Sequence, residues 1–197
     1  MYKRQGLLIV DEVQAGFART GDHFWGFEAH DVVPDVIVLS KGIGNGFPIA
    51  AVVTRRDVAE AMAARMFFNT YGSNPTCCAA GRAVLRAIDE EGLQANAQRV
   101  GSQLLTGLRE LQGRYEQLGD VRGRGLLIGA ELIKDPESRE ADAGAAERVQ
   151  LALLARGVVV GLCGRDHNVV KINPPLCVTD EDAAFFLTAM EESLAAV

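Results

Sequence analysis

Short apolar runs punctuate the first third of the chain at residues 7–10, 36–39 and 50–54. Each is four or five residues long, rich in β-branched types and bounded by Gly, Pro or Asp, which favours strands over helical turns. Their apolarity is continuous rather than alternating, so these strands are predicted to be buried on both faces, in a sheet covered by helices. Helical patterning follows. Asp57 is placed to cap a helix reaching Met66, and Pro75 to open a longer one in which Ala79, Ala83, Val84, Ala87 and Ile88 recur at helical spacing until Gly92 stops it.

Beyond Gly92 the pattern changes. Residues 94–117 read as a polar, amphipathic connecting helix. A strand is expected over 125–133, a helix over 143–156 closed by Gly157, and strands over 158–162 and 169–172. Thr179 ahead of Asp180, Glu181 and Asp182 supplies a cap and an acidic first turn for a last helix running to the C-terminus. Strand, helix, two strands and helix describe a small α+β domain. Arg122 and Arg124 fall in a Gly-rich turn before its first strand, where a solvated loop and a substrate contact are equally good readings.

Composition narrows the function classes. A chain of 197 residues with 48% hydrophobic content suits one large domain or two small ones. The net charge of −6, with 20 dispersed basic residues, argues against a nucleic-acid partner. Cys77, Cys78, Cys163 and Cys177 have no CxxC spacing and no histidine partner, so no metal site is expected. No apolar run approaches the roughly 18 residues that cross a bilayer, so no membrane association is expected and a cytoplasmic location is favoured. The first strand starts at once after residues 1–5; these are expected to be non-native and the chain to begin inside a domain, which leaves an upstream targeting signal open.

Two of the early strands run into ionisable residues, the first into Asp11 and the second into Ser40 and Lys41. In open α/β sheets, ligands bind beyond the carboxyl ends of the strands. A pyridoxal phosphate (PLP) enzyme needs an amine for a Schiff base and a carboxylate that keeps the pyridine nitrogen protonated, and Lys41 and Asp11 are such a pair. From these two residues alone, a strand-end salt bridge is the simpler reading.

The surrounding sequence shifts that balance. Residues 11–21, from Asp11-Glu12-Val13-Gln14 to Arg19-Thr20-Gly21, residues 40–48, from Ser40-Lys41 to Phe47-Pro48, and residues 68–75, from Phe68-Asn69-Thr70-Tyr71 to Asn74-Pro75, closely resemble class III PLP-dependent aminotransferases in order and spacing. The resemblance continues through residues 119–125 and through Lys171-Ile172-Asn173-Pro174-Pro175, and so covers nearly the whole chain after residue 5. It implies a fold-type-I PLP-dependent transferase. Residues 1–93 would supply the C-terminal part of the large PLP-binding domain, with the second half of its mixed, mostly parallel sheet, and residues 94–197 the small α+β C-terminal domain.

The same resemblance assigns roles by position. Asp11 would pair with the pyridinium nitrogen, Val13 would pack on one face of the ring, and Gln14 would hydrogen-bond the ring hydroxyl oxygen. Lys41 would form the Schiff base and, once released, shuttle a proton as general acid and base. Thr70 would reach the cofactor phosphate of a neighbouring subunit, which requires a homodimer. Gly42, Gly44 and Gly46 would permit a tight turn after the lysine rather than cradle a dinucleotide. Glu12 would point away from Asp11, with a packing or ion-pair role, and none of His23, His30 and His167 shares a spacing that suggests catalysis.

The reaction type turns on the substrate side. Where the family commonly carries an arginine that grips a carboxylate, this chain has Lys171, a point donor that does not replace the two-pronged guanidinium. Residues 168–177 resemble the amine-phosphate phospho-lyase branch, and residues 23–53 the alanine-glyoxylate type of transaminase. Transamination between an amino acid or amine donor and a 2-oxo acid such as glyoxylate or pyruvate is the favoured expectation. The alternatives are a phospho-lyase acting on phosphoethanolamine-like amines, an inactive fragment lacking the upstream phosphate loop and stacking aromatic, and an unrelated α/β binding module.

Overall fold

The structure is a computed structural model that describes residues 6–66 and 68–197. Residues 1–5, expected to be non-native, lie outside the described residues. The chain divides into two compact units, the first reaching Gln94 and the second running from Ala95 to Val197.

The first unit is built on a three-stranded sheet of β1 (Ile9–Asp11), β2 (Val36–Leu39) and β3 (Ala51–Thr54) in that order. β1 and β2 run parallel, with Asp11 opposite Val38, and β3 returns antiparallel, with Ala51 opposite Leu39. This geometry brings the carboxyl ends of β1 and β2 and the start of β3 to one edge. At the opposite edge, buried Asp35 ties the strands together. Its Oδ2 accepts from Leu8 N–H at 2.8 Å, its Oδ1 accepts from Arg55 at 2.9 Å, and its carbonyl accepts from Thr54 Oγ1 at 2.7 Å.

Burial departs from expectation. Val36 and Leu39 of the central strand are buried, but Ile9 is 61% and Val52 64% exposed. A sheet buried on both faces needs a helical layer on each side, and neither outer strand receives full cover from the described residues. Helix α1 (Arg56–Ala63) starts one residue before Asp57; Arg55 is its cap position, and Asp57 instead accepts from the Arg55 guanidinium. Helix α2 (Pro75–Glu90) does open at Pro75, and Asn74 caps it by accepting from the N–H groups of Thr76 and Cys77.

In the second unit, β4 (Leu118–Arg124), β5 (Leu127–Leu132), β6 (Gly161–Cys163) and β7 (Val169–Ile172) form an antiparallel sheet in the order β4-β5-β7-β6. Helices α3 (Leu93–Gln112), α4 (Ala143–Ala155) and α5 (Asp180–Ala195) supply the rest. Val100, Leu104, Leu108 and Leu111 of α3 recur at helical spacing and join Ile128, Ala130 and Leu132 of β5, Val149 and Leu153 of α4, and Met190 of α5 in one apolar cluster. β4 was not expected: the Gly-rich stretch read as a turn is a strand hairpinned onto β5. α3 also ends earlier than predicted, at Gln112. No helix among the described residues is long and apolar enough to cross a membrane.

Candidate active site

At the end of the first sheet where the parallel strands β1 and β2 finish, Asp11 closes β1 and Lys41 follows β2. β1 ends on Asp11, whose Oδ1 accepts from Val13 N–H at 3.0 Å. Glu12 N–H donates to Val38 O at 3.0 Å, carrying the β1–β2 ladder one residue past the strand. From β2, Ser40 leads into a single 3-10 turn, Lys41–Ile43. Lys41 has φ 46°, in the left-handed region that a side chain with a Cβ adopts at a cost. Its carbonyl holds the turn by accepting from the N–H groups of Gly44 and Asn45, both at 3.1 Å. Gly44 is required here, because a Cβ would stand 2.3 Å from the Phe47 carbonyl oxygen. The expected tight turn after the lysine is thus present.

A cavity of 520 Å³ opens beside this turn, within the volume range of small-molecule sites. Ser40 and Lys41 line one part of it, and Phe47 and Pro48 another. Asn69, Tyr71, Asn74, Cys77 and Cys78 line a further part, from the segment before α2 and from its first turn. Asn69 Oδ1 accepts from Tyr71 N–H at 3.0 Å, which fixes the bend on which Thr70 sits exposed. Thr70 and Asp11 are not among the lining residues, although Asp11 shares the sheet edge with Lys41 and Thr70 is flanked by two residues that do line the cavity.

The segment after Asp11 is closely packed. Phe17, Phe24 and Trp25 stack edge to face, with centroids 4.7–5.8 Å apart. Phe17 and Ala18 take φ of 60° and 64°, and Ala18 N–H donates to Phe24 O at 2.9 Å, closing the loop. Burial pushes the Arg19 guanidinium pKa down. Gln14 lies exposed on the outer surface of this segment.

The remaining predicted residues lie in the second unit. Lys171, half-buried on β7, stands between Gly129 of β5 and Gly161 of β6. Arg122 is on β4, not in a loop, and its guanidinium bonds the carboxylates of Asp120 and Glu131, which raises its pKa. Sequence reasoning missed Asn69, Cys77 and Cys78 as lining residues. The Asn74-Pro75 pair, with a cap side chain ahead of a proline at the first helical position, was the available signal that a helix start would carry its first-turn cysteines to this place.

The aminotransferase class-III family profile matches residues 2–194. The chain belongs to the class III aminotransferase family. It is 48% identical over 192 residues to the Arabidopsis thaliana protein "Alanine--glyoxylate aminotransferase 2 homolog 2, mitochondrial", a match covering 98% of this chain and 40% of that protein. Among solved structures, it superposes with TM-score 0.92 and 39% identity on an Arthrobacter phospholyase in complex with phosphoethanolamine, covering 98% of this chain and 46% of that one. With TM-score 0.88 and 36% identity, it resembles a PLP-bound amine transaminase from an uncultivated Pseudomonas species, covering 96% and 44% of the two chains. The class III chain therefore spans about 40% of the length of the curated relatives it matches. The mixed α/β fold of a PLP-dependent transferase, expected from the motifs, is the fold of these structural neighbours, and the family implies pyridoxal phosphate as cofactor.

Proposed function

We propose that this chain carries the lysine-bearing portion of a PLP-dependent class III transaminase, one that moves an amino group between an amine or amino acid and a 2-oxo acid such as glyoxylate or pyruvate. The observation that supports the reading is that β1 ends on Asp11 and its parallel neighbour β2 leads into Lys41, which lines a 520 Å³ cavity. An amine on the wall of a cavity of this size fits the cofactor's aldehyde and volume, and the carboxylate that ends the neighbouring strand, outside the cavity lining, would serve its ring nitrogen. PLP, when bound, supplies an aldehyde that condenses with amines and a ring that withdraws electrons from the substrate carbon.

The protein's own residues then divide the work. Lys41 would hold the cofactor's aldehyde carbon through Nζ and, when freed by a substrate amine, would hold and pass on a proton at Nζ as general acid and base. Asp11 would pair with the ring nitrogen and favour its protonated form. Val13 packs against the ring face and Gln14 donates to the ring hydroxyl oxygen. Thr70, exposed on its bend, reaches the cofactor phosphate of a second subunit in a homodimer. Lys171 contacts the substrate's acidic group.

A second reading rests on that last residue. A lysine point donor suits a phosphate better than it replaces a forked guanidinium on a carboxylate, and the Arthrobacter neighbour is a phospholyase in complex with phosphoethanolamine. Phosphate release from phosphoethanolamine would support the lyase, and pyruvate formed from alanine and glyoxylate the transaminase. The shared premise is tested by adding PLP and reducing with borohydride. Wild-type protein should acquire the cofactor covalently at Lys41, and Lys41→Ala should acquire none. Equal labelling of the variant would refute the assignment.

A further inference from the structure

The geometry points to Glu12 as a positioning residue: we propose that its buried carboxylate holds Asp11, Val13 and Gln14 at the edge of the cofactor site, an inference that rests on the site assigned above. Asp11 and Glu12 are consecutive at the end of an extended strand, so their side chains leave on opposite sides. Asp11 is exposed, while Glu12 is only 1% exposed. A buried carboxylate needs donors, and Glu12 finds two on main chain far along the sequence. Gly26 N–H donates to Oε2 at 2.9 Å and Phe27 N–H to Oε1 at 2.8 Å.

Those two groups are the first N–H groups of the 3-10 turn Gly26–His30, and the preceding Trp25 has no side-chain acceptor for them. Such N-terminal donors require partners from outside the helix. The carboxylate therefore closes a loop of fourteen residues onto its own start. The Glu12 main chain is fixed as well, because its N–H donates to Val38 O and its carbonyl accepts from Gly16 N–H, both at 3.0 Å. With Glu12 pinned at N–H, carbonyl and carboxylate, the Cα positions on either side of it are set. Asp11 Oδ1 then has Val13 N–H in reach only while that segment keeps its place. Neither the ring pairing of Asp11 nor the cavity requires Glu12 to touch cofactor or substrate; it acts through the segment.

The test is Glu12→Gln, nearly isosteric, so that packing volume is retained while one of the two acceptors becomes an amide facing an N–H. Thr54→Val is the comparison variant. It removes the 2.7 Å bond to Asp35 O at the far end of the sheet and should lower thermal stability without touching this segment. In cofactor-free protein, hydrogen exchange at the amides of Val13, Gly16, Gly26 and Phe27 should accelerate by about tenfold or more in Glu12→Gln, and exchange in β2 should stay close to wild type. With PLP added, Glu12→Gln should bind it about tenfold or more weakly and shift the absorbance of the Lys41-bound cofactor in the direction that Asp11→Asn shifts it.

Wild-type exchange and spectrum in Glu12→Gln would overturn the proposal, as would losses spread over the whole first unit in the manner of Thr54→Val. If wild-type protein takes no cofactor at Lys41, the assignment of the site fails. The exchange measurement then still decides whether Glu12 holds the segment.

Discussion

Asp35 sits at the end of the sheet farthest from the chemistry, yet the placement of Asp11 and Lys41 depends on it. A slip of one residue between β1 and β2 would send every side chain of the strand to the opposite face, and Asp35 is the group that joins the start of β1 to the start of β2 and the end of β3. Asp35→Ala removes the acceptor of Leu8 N–H, a hydrogen bond to a charged group that contributes about 1.5–3 kcal/mol. It also removes the ion pair with Arg55, whose side chain is 55% exposed, so that solvent screening limits this part to about 0–1 kcal/mol. The Thr54 bond goes to the main-chain carbonyl and survives. The expected loss is therefore about 2–4 kcal/mol for Asp35→Ala, against about 1 kcal/mol or less for Arg55→Ala.

Urea unfolding followed by tryptophan fluorescence measures it cleanly. Trp25 is the only tryptophan in the chain. It packs against Phe17 and Phe24 within the first unit, so its emission reports that unit while far-ultraviolet circular dichroism reports both. The reasoning predicts a lower fluorescence midpoint for Asp35→Ala at unchanged slope, with Asp35→Asn in between because it keeps an acceptor. Equal losses for Asp35→Ala and Arg55→Ala would refute it, since the energy would then lie in the exposed ion pair; a loss below about 1 kcal/mol would refute it as well.

Three further outcomes are expected. Leu108→Ala, at a fully buried α3 position, should cost about 3–5 kcal/mol by chemical denaturation, from lost transfer energy plus the cavity left behind, and a cost under about 1.5 kcal/mol would contradict the packing described. Asn74→Ala should cost about 1 kcal/mol in thermal or chemical unfolding by stripping the cap from α2, with Asn74→Asp close to neutral. The Asp182 carboxyl, accepting from Thr179 main chain and then its hydroxyl, is held below the ordinary aspartate pKa, so its stabilising contribution is complete above pH 4 or so and is lost as pH falls through the depressed value. Thr179→Ala should raise the Asp182 titration midpoint seen by NMR, and an unmoved midpoint would show that the hydroxyl contributes nothing.

What the sequence disclosed and what it hid follow from the range of the interactions involved. β2 and β7 were legible to the residue because a short β-branched run bounded by breakers is a local signal, and α5 was legible because Thr179 and Asp182 form a reciprocal cap within one turn. β4 was hidden because Gly119, Gly123 and Gly125 mark turns in any local reading. It is held as a strand by pairing with β5, and Arg122 becomes a strand residue only once Asp120 and Glu131 are beside it. In the candidate site, the short stretches around Asp11 and Lys41 carried enough pattern to suggest their partnership, and the parallel pairing of β1 with β2 is what brings them to one edge. Glu12 is buried, as a packing role requires, but its hydrogen-bond partners were hidden for the same physical reason that β4 was missed. A carboxylate beside an apolar strand reads as a packing or ion-pair residue, because its actual partners, two main-chain N–H groups fourteen and fifteen residues away, leave no mark in residue type. Main-chain donors are present at every non-proline position, so only the fold decides which of them a buried acid will meet.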